Sequence, residues 1–257
     1  MKSNFGLYSQ YYDLLYADKD YLGEISYLFE LISKYGNSNV ASLLELGCGT
    51  GIHAALIGAR NINVCGVDMS TDMLERAIDR AQELDFMPGQ LSFFKGDVRT
   101  FRAEKYFDVV ASLFHVTSYQ VEEEDLLAML ETASAHLNYG GLFIFDFWYG
   151  PAVLSQSPSV RLKKLNNDQI EVSRIARPTL YENKNIVEVN YDVYIKDVVS
   201  GEIQVINETH VMRYLFLPEI ERLLGLKGFE MVRAEEWMTS QQPSVDTWGV
   251  CIVARKK

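Results

Sequence analysis

From Ser42 to Phe147 short apolar runs alternate with amphipathic stretches, and nothing else in the chain constrains the fold as strongly. Strand-like Ser42 to Leu46 leads into a helical pattern from Ile52 to Arg60, and Asn63 to Val67 leads into Thr71 to Glu83. Leu91 to Phe94 and Phe107 to Ser112 follow, and a helix from Glu122 to Leu137 precedes a strand from Gly141 to Phe147. Parallel neighbours need a long crossover, which a helix supplies, so this alternation selects an α/β fold with a doubly wound parallel sheet covered on both faces. Ahead of it, Tyr21, Leu22, Ile25, Leu28, Phe29 and Ile32 share one face of a helix from Asp20 to Lys34, which Gly36 ends.

Beyond Trp148 the period changes from helical to alternating. Ile170 to Ile175, Asn185 to Ile195 and Glu202 to Tyr214 read as antiparallel strands, the last two joined through a Ser200-Gly201 turn. A helix from Pro218 to Leu226 and strands Glu230 to Glu236 and Trp248 to Ala254 then return to the main sheet. With 257 residues this suggests one elaborated core. Residues 1–150 hold N-terminal helices and a ligand-binding core, 151–213 a β-rich insertion serving as acceptor lid or dimer surface, and 214–257 the closing helix and strands.

Lys and Arg number 24 against 35 Asp and Glu, a net charge of −11, which disfavours a nucleic-acid partner because phosphate binding needs cationic side chains. The imbalance belongs to residues 1–150, with 10 basic and 21 acidic side chains; the remainder is balanced. No run approaches the about 18 apolar residues of a membrane span, and the start lacks a secretory segment, so a cytoplasmic location is expected. Cys48, Cys65 and Cys251 are odd in number and lack CxxC spacing, against a disulfide framework or a zinc site.

Chemistry concentrates in Leu43-Leu44-Glu45-Leu46-Gly47-Cys48-Gly49-Thr50-Gly51, an apolar strand running into three alternate glycines and a helix. Such a turn lets a ligand approach the backbone at a strand's carboxyl end, although a tight strand-to-helix turn needs glycine too. Ile52 stands where a dinucleotide fingerprint places its third glycine, and Glu45 puts a carboxylate beside the ligand, which suits a cation better than a diphosphate. Asp68 ends the second strand and can accept from both ribose hydroxyls; Asp97 follows the third and can accept from an adenine amino group. A helix cap for Asp68 and an ordinary turn for Asp97 are the structural alternatives.

With Val67-Asp68-Met69-Ser70-Thr71-Asp72-Met73-Leu74, Gly96-Asp97-Val98 and Phe107-Asp108-Val109-Val110, this region resembles the class I S-adenosylmethionine-dependent methyltransferases. The resemblance implies a Rossmann-like, seven-stranded sheet whose last strand is antiparallel. It also implies that Glu45, Gly47, Cys48, Gly49 and Gly51 face the methionine moiety, Asp68 the ribose, Met69 and Met73 the adenine face, and Asp97 and Val98 its edge. Tyr12, from the N-terminal helix, and Ser112, at the end of the fourth strand, join the expected cofactor residues.

A narrower likeness is to bacterial N-methyltransferases of thymidine-diphosphate-linked aminosugars. It rests on Tyr12-Asp13-Leu14-Leu15-Tyr16 with Lys19-Asp20-Tyr21, the β-rich insertion, and Glu208-Thr209-His210. Those enzymes carry a histidine suspected of catalysis after the fourth strand; the matching position is Tyr119, with His115 the other candidate base. Tyr8, Trp148, Tyr149 and His210 are expected to line the acceptor site, although aromatic residues serve equally in cores and His210 equally in cross-strand pairing. Arg161, Lys163 and Lys164 offer a diphosphate contact or a solvated run, while His53 and His136 suggest no role.

The expected activity is methyl transfer from S-adenosylmethionine to a small acceptor, foremost the amino group of a nucleotide-linked sugar, with S-adenosylhomocysteine as product and no metal. A monomer or homodimer is expected. O-methylation of a sugar or other metabolite, a nicotinamide oxidoreductase and a non-catalytic nucleotide-binding module are the alternatives.

Overall fold

The computed structural model describes residues 11–12, 14–36, 39–84 and 86–257. Helix α1 (Tyr21–Tyr35) is capped by Asp20, whose carboxylate accepts from the Gly23 N–H. Strand β1 (Ser42–Leu46), α2 (Ile52–Gly58), β2 (Asn63–Asp68), α3 (Thr71–Glu83), β3 (Leu91–Lys95), β4 (Phe107–Ser112), α4 (Glu123–His136) and β5 (Leu137–Trp148) follow in the expected order.

A short helix α5 (Gly150–Gln156) then leads to β6 (Arg161–Asn166), β7 (Ile170–Tyr181), β8 (Ile186–Asp197) and β9 (Ile203–Arg213). Helix α6 (Leu217–Leu226), β10 (Phe229–Glu236) and β11 (Gly249–Lys256) complete the chain.

Seven strands form the main sheet in the order β10-β11-β5-β4-β1-β2-β3. The central pairings are parallel, and β11 runs antiparallel to both β5 and β10. Strand order reverses between β1 and β4, so a crevice opens beyond their carboxyl ends. Helices cover both faces: Leu126, Met129 and Leu130 of α4 pack with Ile220, Leu223 and Leu224 of α6 on one side, and Ile25, Leu28 and Leu31 of α1 with Ala54 and Ile57 of α2 on the other.

The insertion forms a separate antiparallel sheet, β6-β7-β8-β9. Its Ile170, Val172, Val193 and Ile195 pack on Tyr11 and Leu15, so the start of the described chain lies against the insertion. The Leu215 N–H donates to the Trp148 carbonyl and the Gly150 N–H to the Leu215 carbonyl, both at 2.9 Å, which joins the end of β9 to the end of β5.

Two elements depart from the expectation. Strand β6 is polar and carries the Arg161, Lys163 and Lys164 run; Lys163 donates to the Leu15 carbonyl at 2.6 Å and pairs with Asp18, so this ammonium ties the N-terminal segment to the sheet. Strand β7 continues through Pro178 to Tyr181, past the expected end at Ile175. β6 stops opposite Ala176, so Pro178 lies where β7 has lost that neighbour and its missing N–H costs no ladder bond there.

Candidate active site

Gly47, Gly49 and Gly51 all have positive φ, and the turn they make consumes its own amides. The Gly47 and Cys48 N–H groups both donate to the Val67 carbonyl, Gly51 donates to Cys48, and Gly49 donates to the Asp68 carboxylate at 2.9 Å. The glycines therefore provide shape rather than ligand donors. A Cβ on Gly47 would stand 2.6 Å from Val116, whereas nothing lies within 4 Å of one on Gly49, so the open face is at Gly49. The Cys48 side chain is buried against Gly66, and burial, with Glu45 nearby, raises its thiol well above the usual range.

Asp68 also accepts from the Ser70 N–H at 2.8 Å. The cap of α3 is Ser70, whose hydroxyl accepts from the Met73 N–H, so Asp68 stands outside that cap. Its two accepted bonds leave room for about two more on a carboxylate. Asp97 closes a turn and is clamped by Arg99, which donates to both oxygens; that pairing holds its carboxyl below the usual range. Met73 and Val98 are buried, Val98 in the core, and Met69 is exposed at the same edge. Ser112 is fully buried, and its hydroxyl donates to the Leu46 carbonyl and ties β4 to β1.

Glu45 is 1% exposed, and its Oε2 has no hydrogen-bond partner. Burial, reinforced by the nearby Asp68 carboxylate, pushes its pKa up to about 8. Its Oε1 lies 3.6 Å from His53 Nδ1, and His53 Nε2 lies 2.7 Å from Glu24. Burial keeps His53 neutral, so it presents one N–H to Glu24 and a lone pair toward Glu45. Burial favours a neutral Glu24, but bonds from His53 and Lys19 outweigh it and keep Glu24 ionised.

Lys19 also lies over the Tyr21 and Phe114 rings, at 4.2 and 4.4 Å. None of Lys19, Glu24 or His53 was singled out for a role from sequence, although Glu24 is an acid on the apolar face of α1, a readable signal.

Past β4, Phe114 and His115 both adopt left-handed backbone, φ +67° and +64°, a strained pair for side-chain-bearing residues. Asp146 anchors the second of them: buried in β5, it accepts from the His115 N–H with both oxygens at 3.1 Å and lies 2.7 Å from the imidazole Nδ1. This acid, alone in the apolar run of Gly141 to Trp148, was legible in the sequence and was missed.

The imidazole of His115 meets Trp148 edge-on at 6.2 Å, and Trp148 meets Trp248. Tyr149 packs against the core and bridges to Leu215, so it stands at the junction of the two sheets rather than as an open wall.

A short 3₁₀ turn, Val116–Tyr119, carries Tyr119 to the insertion. Its hydroxyl lies 2.6 Å from His210 Nδ1; His210 Nε2 lies 3.2 Å from Glu208, which also accepts from the Tyr11 hydroxyl at 2.6 Å. Tyr12 stacks edge-on with Tyr16, and Tyr16 with Phe114. Tyr119 and His210 are thus brought together, while His115 sits apart on Asp146. Tyr8 lies outside the described residues. His136 is structural: it accepts from the Ala103 N–H and faces the Thr132 carbonyl.

The strand ends of β1, β2 and β3 thus stand beside a cluster of aromatic rings that joins the turn after β4 to the insertion through Tyr119, His210 and Tyr191. Residues 43–141 match a family described as a methyltransferase domain. Over that stretch the chain is similar to methyltransferase domains.

A dTDP-3-amino-3,4,6-trideoxy-alpha-D-glucopyranose N,N-dimethyltransferase of Streptomyces venezuelae is 28% identical over 184 residues, 71% of this chain and 74% of that protein. An S-adenosylmethionine-dependent methyltransferase structure from Clostridium acetobutylicum has a TM-score of 0.83 at 20% identity, covering 99% of both chains. CalS10, an S-adenosylmethionine-bound amino pentose methyltransferase of Micromonospora echinaspora, has a TM-score of 0.76 at 22% identity, covering 98% of this chain and 97% of that one. These likenesses are to methyltransferases, not to nicotinamide oxidoreductases. No helix among the described residues is long and apolar enough to cross a membrane.

Proposed function

We propose that this protein transfers a methyl group from S-adenosylmethionine to the amino group of a nucleoside-diphosphate-linked aminosugar. The observation that carries the donor is Glu45, a buried carboxyl with an unpartnered oxygen beside the open face of Gly49. An orphaned acid in that position fits a cationic ligand and opposes a diphosphate. The acceptor rests on the Streptomyces relative named above and on the aromatic cluster of Tyr119, His210 and Tyr191 at the insertion.

S-adenosylmethionine, when bound, supplies an electrophilic methyl group on a cationic sulfur. Glu45 is suited to hold its ammonium, Asp68 to accept from the ribose hydroxyls, and Asp97 to accept at the adenine edge. Methyl transfer is an in-line displacement dominated by positioning, which rigid placement of donor residues on strand ends provides. Lys19 and Glu24 extend the polar wall below Glu45, and Tyr12 and Tyr16 close it from the N-terminal side.

Equilibrium binding of S-adenosylmethionine, followed by mass analysis of amino- and hydroxy-sugar nucleotides incubated with enzyme and donor, tests this reading. Methylation on nitrogen is expected; methylation on oxygen alone, or none despite donor binding, overturns the acceptor.

A further inference from the structure

The sheet of the insertion does more than stand beside the acceptor. Tyr119 belongs to the turn after β4, His210 and Glu208 to β9, and Tyr11 to the N-terminal segment, yet their polar atoms make one continuous chain. The imidazole is bonded through both ring nitrogens, to a phenol on one side and a carboxylate on the other, which fixes its ring plane and lets a proton arriving at Nδ1 be stabilised across the ring. Tyr191 of β8 meets the His210 ring edge-on at 5.1 Å, and Arg174 of β7 lies over Tyr191 at 4.7 Å. The groups that face His210 are thus the Glu208 carboxylate, the Arg174 guanidinium beyond Tyr191, and the phenols of Tyr119, Tyr191 and Tyr11. Tyr119, at the outer end of the chain, is 44% exposed.

We propose that Tyr119, His210 and Glu208 form a proton-accepting relay for the acceptor amine, with Tyr119 touching the acceptor and His210 and Glu208 acting as positioning residues behind it. The proposal rests on the amine-acceptor reading above.

The sugar ammonium gives a proton to the Tyr119 oxygen as the phenolic proton passes to His210 Nδ1. This leaves a neutral amine and an imidazolium paired with Glu208. The amine lone pair then forms the new N–C bond while the C–S electron pair stays on sulfur, and the relay proton leaves from His210 to solvent. The methylated product carries the positive charge formerly on the sulfonium. The relay is emptied only when His210 is neutral, so turnover rises with pH through the imidazole titration.

Single-turnover rates across pH for the wild type, Tyr119→Phe, His210→Gln and Glu208→Gln test the relay. His210→Gln is expected to slow methyl transfer by about 10- to 100-fold, at the modest end of general-base contributions, with donor affinity unchanged and the acidic limb of the profile gone. Glu208→Gln, the milder change, should move that limb to lower pH, because a neutral amide no longer pairs with the imidazolium. Tyr119→Phe combined with His210→Gln should be no slower than the worse single variant, because parts of one relay do not add.

An unaltered pH profile in His210→Gln, or multiplying effects in the double variant, overturns the relay. NMR titration of the His210 imidazole provides an arm independent of the acceptor: its midpoint should fall in Glu208→Gln, and an unmoved midpoint also overturns the relay. If the wild type methylates no amine, the acceptor reading fails, and the NMR result still decides whether the coupled triad exists.

Discussion

In the proposed donor site, Glu45 concentrates the chemistry in one side chain. Burial and Asp68 raise its pKa to about 8, far above the usual carboxylate range, so near neutral pH it carries a proton until a cation arrives. Donor affinity should therefore tighten as pH rises toward 8, and binding at pH 7 should release a proton. Calorimetry in two buffers of different ionisation enthalpy measures that proton directly.

Stability runs the other way. The folded state holds this proton up to about pH 8 while the unfolded chain loses it near 4.5, so the Glu45 contribution to stability in the unliganded protein falls across that window. Glu45→Gln should weaken donor binding by about 30-fold, the consequence of removing roughly 2 kcal/mol of buried charge pairing, and should abolish the proton release. Glu45 was readable from its place two residues before the glycines. His53 behind it was not, because a histidine in a helix announces a partner only once the fold brings Glu24 and Glu45 to its two nitrogens.

At the scale of elements, the turn after β1 separates two uses of glycine. Gly47→Ala meets both positive φ and Val116 and should lower the melting temperature markedly. Gly49→Ala meets positive φ alone, a cost of about 1 kcal/mol, but places a methyl on the open face and should lower donor affinity far more than stability. Parallel thermal melts and donor titrations distinguish them; equal losses of affinity in both variants would contradict the assignment of the open face.

The elements of the core were legible because each buried strand and amphipathic helix repeats its own period. Strand β6 was not, since its RLKKLN run is polar and its pairing lies in the backbone. Helix α5 spans seven residues, too few to display a helical period. The left-handed pair at Phe114 and His115 was also invisible, because neither residue type favours that backbone and the bond that anchors His115 comes from Asp146, a strand away.

For the whole molecule, the proposed function divides the work between the two sheets: donor binding at the strand ends of the parallel sheet, and the acceptor side at the insertion. The N-terminal segment holds them together, with Tyr11 and Leu15 packed among β7 and β8. Leu15→Ala should cost about 2–5 kcal/mol through the cavity it leaves, and in the surviving folded enzyme should raise the acceptor KM more than the donor Kd.

The acidity confined to residues 1–150 agrees with a cationic donor in the main sheet, and the charge balance of the remainder leaves an anionic nucleotide-sugar admissible. The most direct measurement is transfer of isotope-labelled methyl from S-adenosylmethionine to nucleoside-diphosphate-linked aminosugars, with the product nitrogen examined by mass spectrometry and NMR. Label on the sugar nitrogen is the predicted result. Label on a hydroxyl only, or no transfer from an enzyme that binds the donor, would contradict it.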